Sequence, residues 1–304
     1  MILFRALLIF SIFVCLNSHA KEIAITFDDS PRHARGYLDG PTRSSKLIEN
    51  LRSNNVGKVA FFSVSNQIDK EGEERLKKYS AAGHWIANHT SSHLNFNETS
   101  LLVYVEDFKQ AHLVLGAFTT SKRWFRFPYL REGNSIEKRD GMRKALKQLD
   151  YRNGYITINN YDWYIEVIFQ RELRNPNFDF ERMKRFYVKV LMENIEFYDN
   201  MAIEYIGRSP KHVLLLHETD LSALYIGDLV QALRKANWRT ISAENAYTDK
   251  IAEYETATVF SYNPGRIGEI ARDKGKMNGL WHESCDEVYL EKRFKKEVLL
   301  QEYN

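Results

Sequence analysis

From Ile23 to Ile241, short runs of apolar, β-branched and aromatic residues alternate with longer amphipathic ones, and this rhythm admits few folds. Residues 23–27 (IAITF) read as a buried strand that stops at Ser30-Pro31. A helix is expected over 44–55, with Leu47, Ile48 and Leu51 on one face, and a second strand over 56–64. The alternation continues with helices over 68–82, 101–118 and 136–149, and strands over 84–88, 124–127 and 155–158. Repeats of this kind build a parallel α/β sheet, open or closed into a barrel. Between 164 and 207 the rhythm breaks, and two helical segments stand where one crossover would suffice. The second carries a broad apolar stripe of Met183, Phe186, Tyr187, Val190, Leu191 and Ile195, which reads as a packing face. A strand over 213–216 ending at His217, a helix over 221–236, a strand over 238–241 and a helical turn over 243–247 follow. The residues from 250 to 304 read as a C-terminal extension that wraps the domain.

The chain's 304 residues are 44% apolar and 13% aromatic, enough for a full core. Its first twenty differ from the rest. Arg5 precedes the apolar run Ala6 to Leu16, and Asn17-Ser18-His19-Ala20 follows before Lys21-Glu22. That is the pattern of a secretory signal, too short to span a bilayer, so cleavage after Ala20 and a secreted or periplasmic product are expected. Removing residues 1–20 takes away Cys15 and leaves Cys285 alone, so no internal disulfide is expected. The whole chain has 43 Lys and Arg against 40 Asp and Glu, and Arg5 is the leader's one charge, leaving 42 against 40. Such a balance argues against nucleic-acid binding by phosphate neutralisation. No later stretch reaches transmembrane length, so no stable membrane span is expected after cleavage.

Chemistry concentrates where the first strand ends. Asp28 and Asp29 are adjacent carboxylates that repel each other unless a cation lies between them. His89 and His93, four apart in His89-Thr90-Ser91-Ser92-His93, have a spacing that places two imidazoles on one face of a helical turn, within reach of one ion. With Asp29 they make a two-His, one-carboxylate set that leaves coordination positions open. Zinc is the first choice, although iron, cobalt or nickel suits such a set.

Five short motifs, in order, resemble the polysaccharide deacetylase family, also called the NodB homology domain or carbohydrate esterase family 4. They are Thr26-Phe27-Asp28-Asp29, His89-Thr90-Ser91-Ser92-His93, Arg126-Phe127-Pro128-Tyr129, Asp162-Trp163 and Leu215-Leu216-His217. The resemblance implies a distorted (β/α)7-8 barrel over 21–249, while the helical insertion at about 165–205 and the extension from 250 lie outside the family's common core. It implies Asp28 as catalytic base, Asp29, His89 and His93 as metal ligands, and Arg126 as the group that orients the base. It further implies the Tyr129 backbone N–H as an oxyanion donor, Asp162 as partner of the catalytic acid His217, and Trp163 as a pocket wall. The activity implied is metal-dependent removal of acetyl from N-acetylhexosamine units of a glycan; peptidoglycan, chitin-like oligomers and exopolysaccharide all remain open.

This chain departs from the family pattern at Ser30, where Gly is usual, and at Asn159, which often is Asp. Glu218 and Asp220 flank His217 and are candidates to tune it or touch substrate. His84, His112, His212 and His282 fall in no motif and are read as structural. Two other functions fit the same scaffold: a non-catalytic carbohydrate-binding protein, and a hydrolase of another non-peptide C–N bond.

Overall fold

The computed structural model describes residues 20–301. The expected signal segment lies outside them, apart from Ala20. Seven strands form one parallel sheet: β1 (Lys21–Ser30), β2 (Ala60–Ser63), β3 (Trp85–Asn88), β4 (Ser121–Phe125), β5 (Arg152–Asn153), β6 (Lys211–His217) and β7 (Trp238–Ile241). Their order is β5-β4-β3-β2-β1-β6, and β7 adds to the first half of β1. Beyond β5 the chain crosses to the free edge of β6, where Ile158 bridges Leu214 and Thr157 N–H bonds to Val213 O. This link curls the sheet into the expected distorted barrel.

Central position explains the composition of β1. Residues Ile23 to Asp28 are all buried between β2 and β7 on one side of the ladder and β6 on the other, so a near-continuous apolar run replaces alternation. Among the described residues, ten helices surround the sheet: α1 (Gly40–Ser53), α2 (Lys70–Ala81), α3 (Leu101–Leu115), α4 (Ile136–Gln148), α5 (Asp162–Glu172), α6 (Phe180–Ile206), α7 (Asp220–Lys235), α8 (Ala243–Ala246), α9 (Arg266–Asp273) and α10 (Glu287–Glu297). Side-chain caps set where several begin. Asp39, Asp69, Ser100, Ser135 and Asp179 each accept a backbone N–H from the first turn. The Asp39 cap, with Pro41 in the first turn, starts α1 four residues before the apolar stripe alone suggested.

The break after residue 164 is α5 followed by the 27-residue α6. All six stripe residues of α6 are buried, so this face is packing surface. The extension carries α9 and α10. Glu291 on α10 pairs with Arg171 on α5, and Arg293 pairs with Glu193 on α6.

Two expected strands are shorter in the structure. The 56–64 run is regular only over 60–63, because Gly57 sits at φ +82°. The strand expected at 155–158 does not form: β5 lies before it, at Arg152–Asn153, and within the run Ile158 makes a single bridge. Gly154 explains the loss: its carbonyl accepts from Arg126 Nε at 2.7 Å instead of joining a ladder.

Candidate active site

All nine candidate residues gather at the C-terminal ends of the parallel strands, the end at which barrel loops place reactive groups. Asp28 and Asp29 would point to opposite faces of a regular strand. A bulge prevents this. Phe27 pairs with Phe61 but Ser30 with Ser63, so β1 carries one extra residue there, and Asp29 takes φ +65°. Both carboxylates consequently line one cavity of about 470 Å³, together with His89, His93, Tyr129, Trp163 and His217. Arg126 and Asp162 stand behind that wall, fully buried, and touch it through Asp28 and His217.

The loop after β3 delivers the histidines. It is not the helical turn that the four-residue spacing suggested, since Thr90 and His93 both have positive φ, at +67° and +54°. Side chains hold this shape: Asn88 Oδ1 accepts from Thr90 N–H, Thr90 Oγ1 from His93 N–H, and Asp107 Oδ2 from the N–H groups of Ser91 and Ser92. His89 Nε2 and His93 Nε2 lie 3.6 and 3.0 Å from Asp29 Oδ1. The ligand atoms of the three residues all fall within 4.8 Å of one another.

This set fits a divalent cation on three grounds. Asp29 Oδ1 is buried and, among the described residues, has no assigned hydrogen-bond partner, with His93 Nε2 3.0 Å away. His89 Nδ1 sits 2.8 Å from Arg126 O, which fixes the tautomer and turns the Nε2 lone pair into the cavity. Burial lowers the His89 pKa to about 3, so the imidazole is neutral and free to ligate. Burial alone would raise Asp29, yet His93 and His217 outweigh it and hold the carboxyl well below its usual range.

Asp28 and His217 are poised in opposite senses. Burial pushes Asp28 up to about 6, against the pull of Arg126, whose Nη1 donates to Asp28 Oδ1 at 2.7 Å. The guanidinium is itself held by Thr26 Oγ1, Gly154 O and Tyr247 OH, and it lies over the Phe62 ring at 3.9 Å. For His217, burial would lower the pKa. The charge and hydrogen bond of Asp162, helped by Asp29 and Asp28, instead raise it to about 9. Asp162 opens α5 and accepts twice from His217, from Nδ1 and from the backbone N–H, each at 2.7 Å. Near neutral pH the cavity thus holds an ionised carboxylate opposite an imidazolium, a pairing of base and acid.

Tyr129 has φ +57° and its ring meets His93 edge-on at 4.6 Å. Trp163 packs beside Tyr161. Several lining residues escaped the motif reading. Arg32 and Arg131 each lie a few residues beyond one of the motifs, and Tyr161 precedes another. Tyr262 and Glu287 come from the extension and carry no local signal; Tyr262 OH accepts from Asn159 at 2.7 Å. Glu218 and Asp220, weighed as substrate contacts, turn away from the cavity. Glu218 binds Arg75, Tyr79 and the Arg32 N–H, while Asp220 binds Arg43 and the Leu38 N–H. Of the histidines outside the motifs, His212 is buried against Asp199. A larger cavity, about 630 Å³, lies beneath the extension beside Glu132, Arg266 and Glu269, but none of the nine candidates reaches it.

Residues 16–154 match the polysaccharide deacetylase family model, a span that includes the first three motifs. No curated protein sequence matches the chain. In fold it is similar to the peptidoglycan deacetylase PdaC from Bacillus subtilis, at 17% identity over 75% of this chain and 91% of that one, TM-score 0.51. It is also similar to a CE4 family pseudoenzyme from Bacillus anthracis, at 16% identity over 75% of this chain and 65% of that one, TM-score 0.52. Residues 16–154 are thus similar to the polysaccharide deacetylase family, and the described residues fold as a distorted (β/α) barrel like that of these solved structures.

Proposed function

We propose that this protein is an exported, metal-dependent N-deacetylase of a glycan containing N-acetylhexosamine. The observation that carries the reading is the opposed placement of Asp28, held by Arg126, and His217, held by Asp162, around the Asp29-His89-His93 cluster in one cavity. A divalent ion on that cluster, zinc by donor chemistry, would act as Lewis acid toward the acetamide carbonyl and an adjacent water.

The protein's own groups carry the protons. As water oxygen adds to the carbonyl carbon, its proton passes to Asp28, which is ionised above about pH 6. The Tyr129 backbone N–H is the proposed donor to the oxyanion, a contact worth about 3 kcal/mol in other hydrolases. When the C–N bond breaks, His217 gives its proton to the departing nitrogen, leaving acetate and a free amino sugar. Arg126 and Asp162 act as positioning residues, since each reaches the cavity only through its partner.

Acetate release from a panel of N-acetylated glycans, run on the protein without residues 1–20, tests this. Release should vanish with a chelator and return with zinc. Metal retained at the cluster with no release from any glycan would favour the binding-protein reading. Export is tested separately, by sequencing the N-terminus of protein recovered outside the cytoplasm, which should begin at Lys21.

A further inference from the structure

Two arginines line the cavity beside the histidines, and each has a buried nitrogen without a hydrogen-bond partner among the described residues: Arg32 Nη1 and Arg131 Nε. Their nearest carboxylates are too distant to bond. Asp29 Oδ2 lies 3.8 Å from Arg32 Nη1, and Glu98 Oε1 lies 3.9 Å from Arg131 Nη1. Leaving a guanidinium N–H buried and unmet is costly, so a partner supplied from outside the chain is the physical expectation.

Arg32 is, moreover, clamped in place. Its N–H donates to Glu218 Oε2 at 2.8 Å, and its carbonyl accepts from Arg43 Nη1 and Arg75 Nη1, both at 2.8 Å. Glu218, Arg43 and Arg75 are themselves buried and joined to Tyr79 and Asp220. Holding the main chain of one residue with three charged groups preorganises its side chain at the cavity. The acidic side chains lining the cavity are Asp28, Asp29 and Glu287. Against them stand Arg32, Arg131, protonated His217 and the bound cation, so a loaded site carries excess positive charge.

We propose that Arg32 and Arg131 recognise an anionic group on the glycan, a carboxylate borne by the sugar that is deacetylated or by its neighbour. This rests on the deacetylase reading and narrows it: the substrate is an acidic N-acetylated glycan, and neutral chitin-like chains are poorer. Arginine forks suit carboxylates through paired N–H···O bonds, and each such contact in a partly buried site changes affinity by about tenfold.

The test uses the zinc-loaded protein and two probes of equal length, an N-acetylglucosamine oligomer and the same oligomer carrying a carboxylate as a uronate or as a lactyl ether. The readout is the ratio of kcat/KM for acid to neutral probe. It should be about tenfold or more in the wild type, fall with rising salt, and drop toward one in Arg32→Gln and in Arg131→Gln through KM. Arg131 is the more exposed of the two, so its variant keeps the test open should Arg32→Gln fold poorly. Acetate release from both probes with a ratio near one, or a ratio unmoved by either variant, overturns the inference while the deacetylase reading stands. Release from neither probe, nor from any glycan of the panel, removes the deacetylase reading and this inference with it. The uronate and lactyl arms distinguish which acidic sugar is taken.

Discussion

Asp162→Asn separates charge from shape at the proposed acid. The carboxylate is fully buried and spends both oxygens on His217, one on Nδ1 and one on the backbone N–H. Asparagine keeps the size and one acceptor but loses the charge that lifts the imidazole to about 9. Burial then acts with less opposition, and His217 should fall to its ordinary ~6.5 or lower. A general acid works only while protonated, so activity is lost as pH rises through its pKa. At pH 8 the protonated fraction should drop from ~0.9 to ~0.03, about 30-fold, while at pH 6 both proteins stay mostly protonated. The assay is acetate release with saturating zinc, followed from about pH 5.5 to about pH 10 for both proteins. The alkaline limb of kcat/KM should move from about pH 9 to about pH 6.5. A wild-type to variant ratio equal at pH 6 and pH 8 would refute the electrostatic argument, because it would leave Asp162 with orientation alone.

Three further perturbations have defined outcomes. Arg126→Lys keeps one charge but cannot span Asp28, Thr26, Gly154 and Tyr247, so kcat/KM should fall by about a hundredfold. With its main cationic partner weakened, Asp28 should titrate above its present value of about 6, and an acid limb that stays in place would count against its role as base. The double variant His89→Ala, His93→Ala should be purified with little bound metal by elemental analysis, and full metal content would exclude the cluster. Gly154→Ala would bring a Cβ to 2.6 Å from the Phe62 ring and 3.2 Å from Phe125 O, so a loss of about 1–3 kcal/mol is expected in denaturant unfolding. An unchanged midpoint would show that this turn can yield, and that Gly154 is not needed to present its carbonyl to Arg126.

What was legible in the sequence was legible because it was local. Each reactive group sits in the last residues of its strand or just past its end, and β1, β3, β4 and β6 all run the same way, so short motifs at four strand ends necessarily meet at one end of the barrel. The class of fold followed from alternation for the same reason. The misreadings arose where a distant partner overrides local preference. Residues 155–158 look like a strand, but the Gly154 carbonyl bonds to Arg126, twenty-eight residues earlier in the chain, and the ladder breaks there. The His89 to His93 spacing suits a helix, but Asp107 on α3 captures two of the loop's N–H groups and fixes another shape that still converges the rings.

The cavity-lining side chains outside the motifs were the least visible, and this follows from how they are held. Tyr262 reaches the cavity because its hydroxyl meets Asn159, more than a hundred residues away, and because Trp281 stacks behind its ring at 5.7 Å. Arg32 is set by Arg43 on α1, Arg75 on α2 and Glu218 in the turn after β6. Groups that move protons and hold metal must sit within about 3 Å of one another, so short strand ends can present them and short motifs can record them. Groups that recognise a polymer lie farther out, on loops and on the extension, where each position is fixed by tertiary contacts alone. On the proposed reading, substrate choice is therefore written in pairs such as Tyr262 with Asn159 and Arg32 with Glu218, which no single stretch of the chain contains.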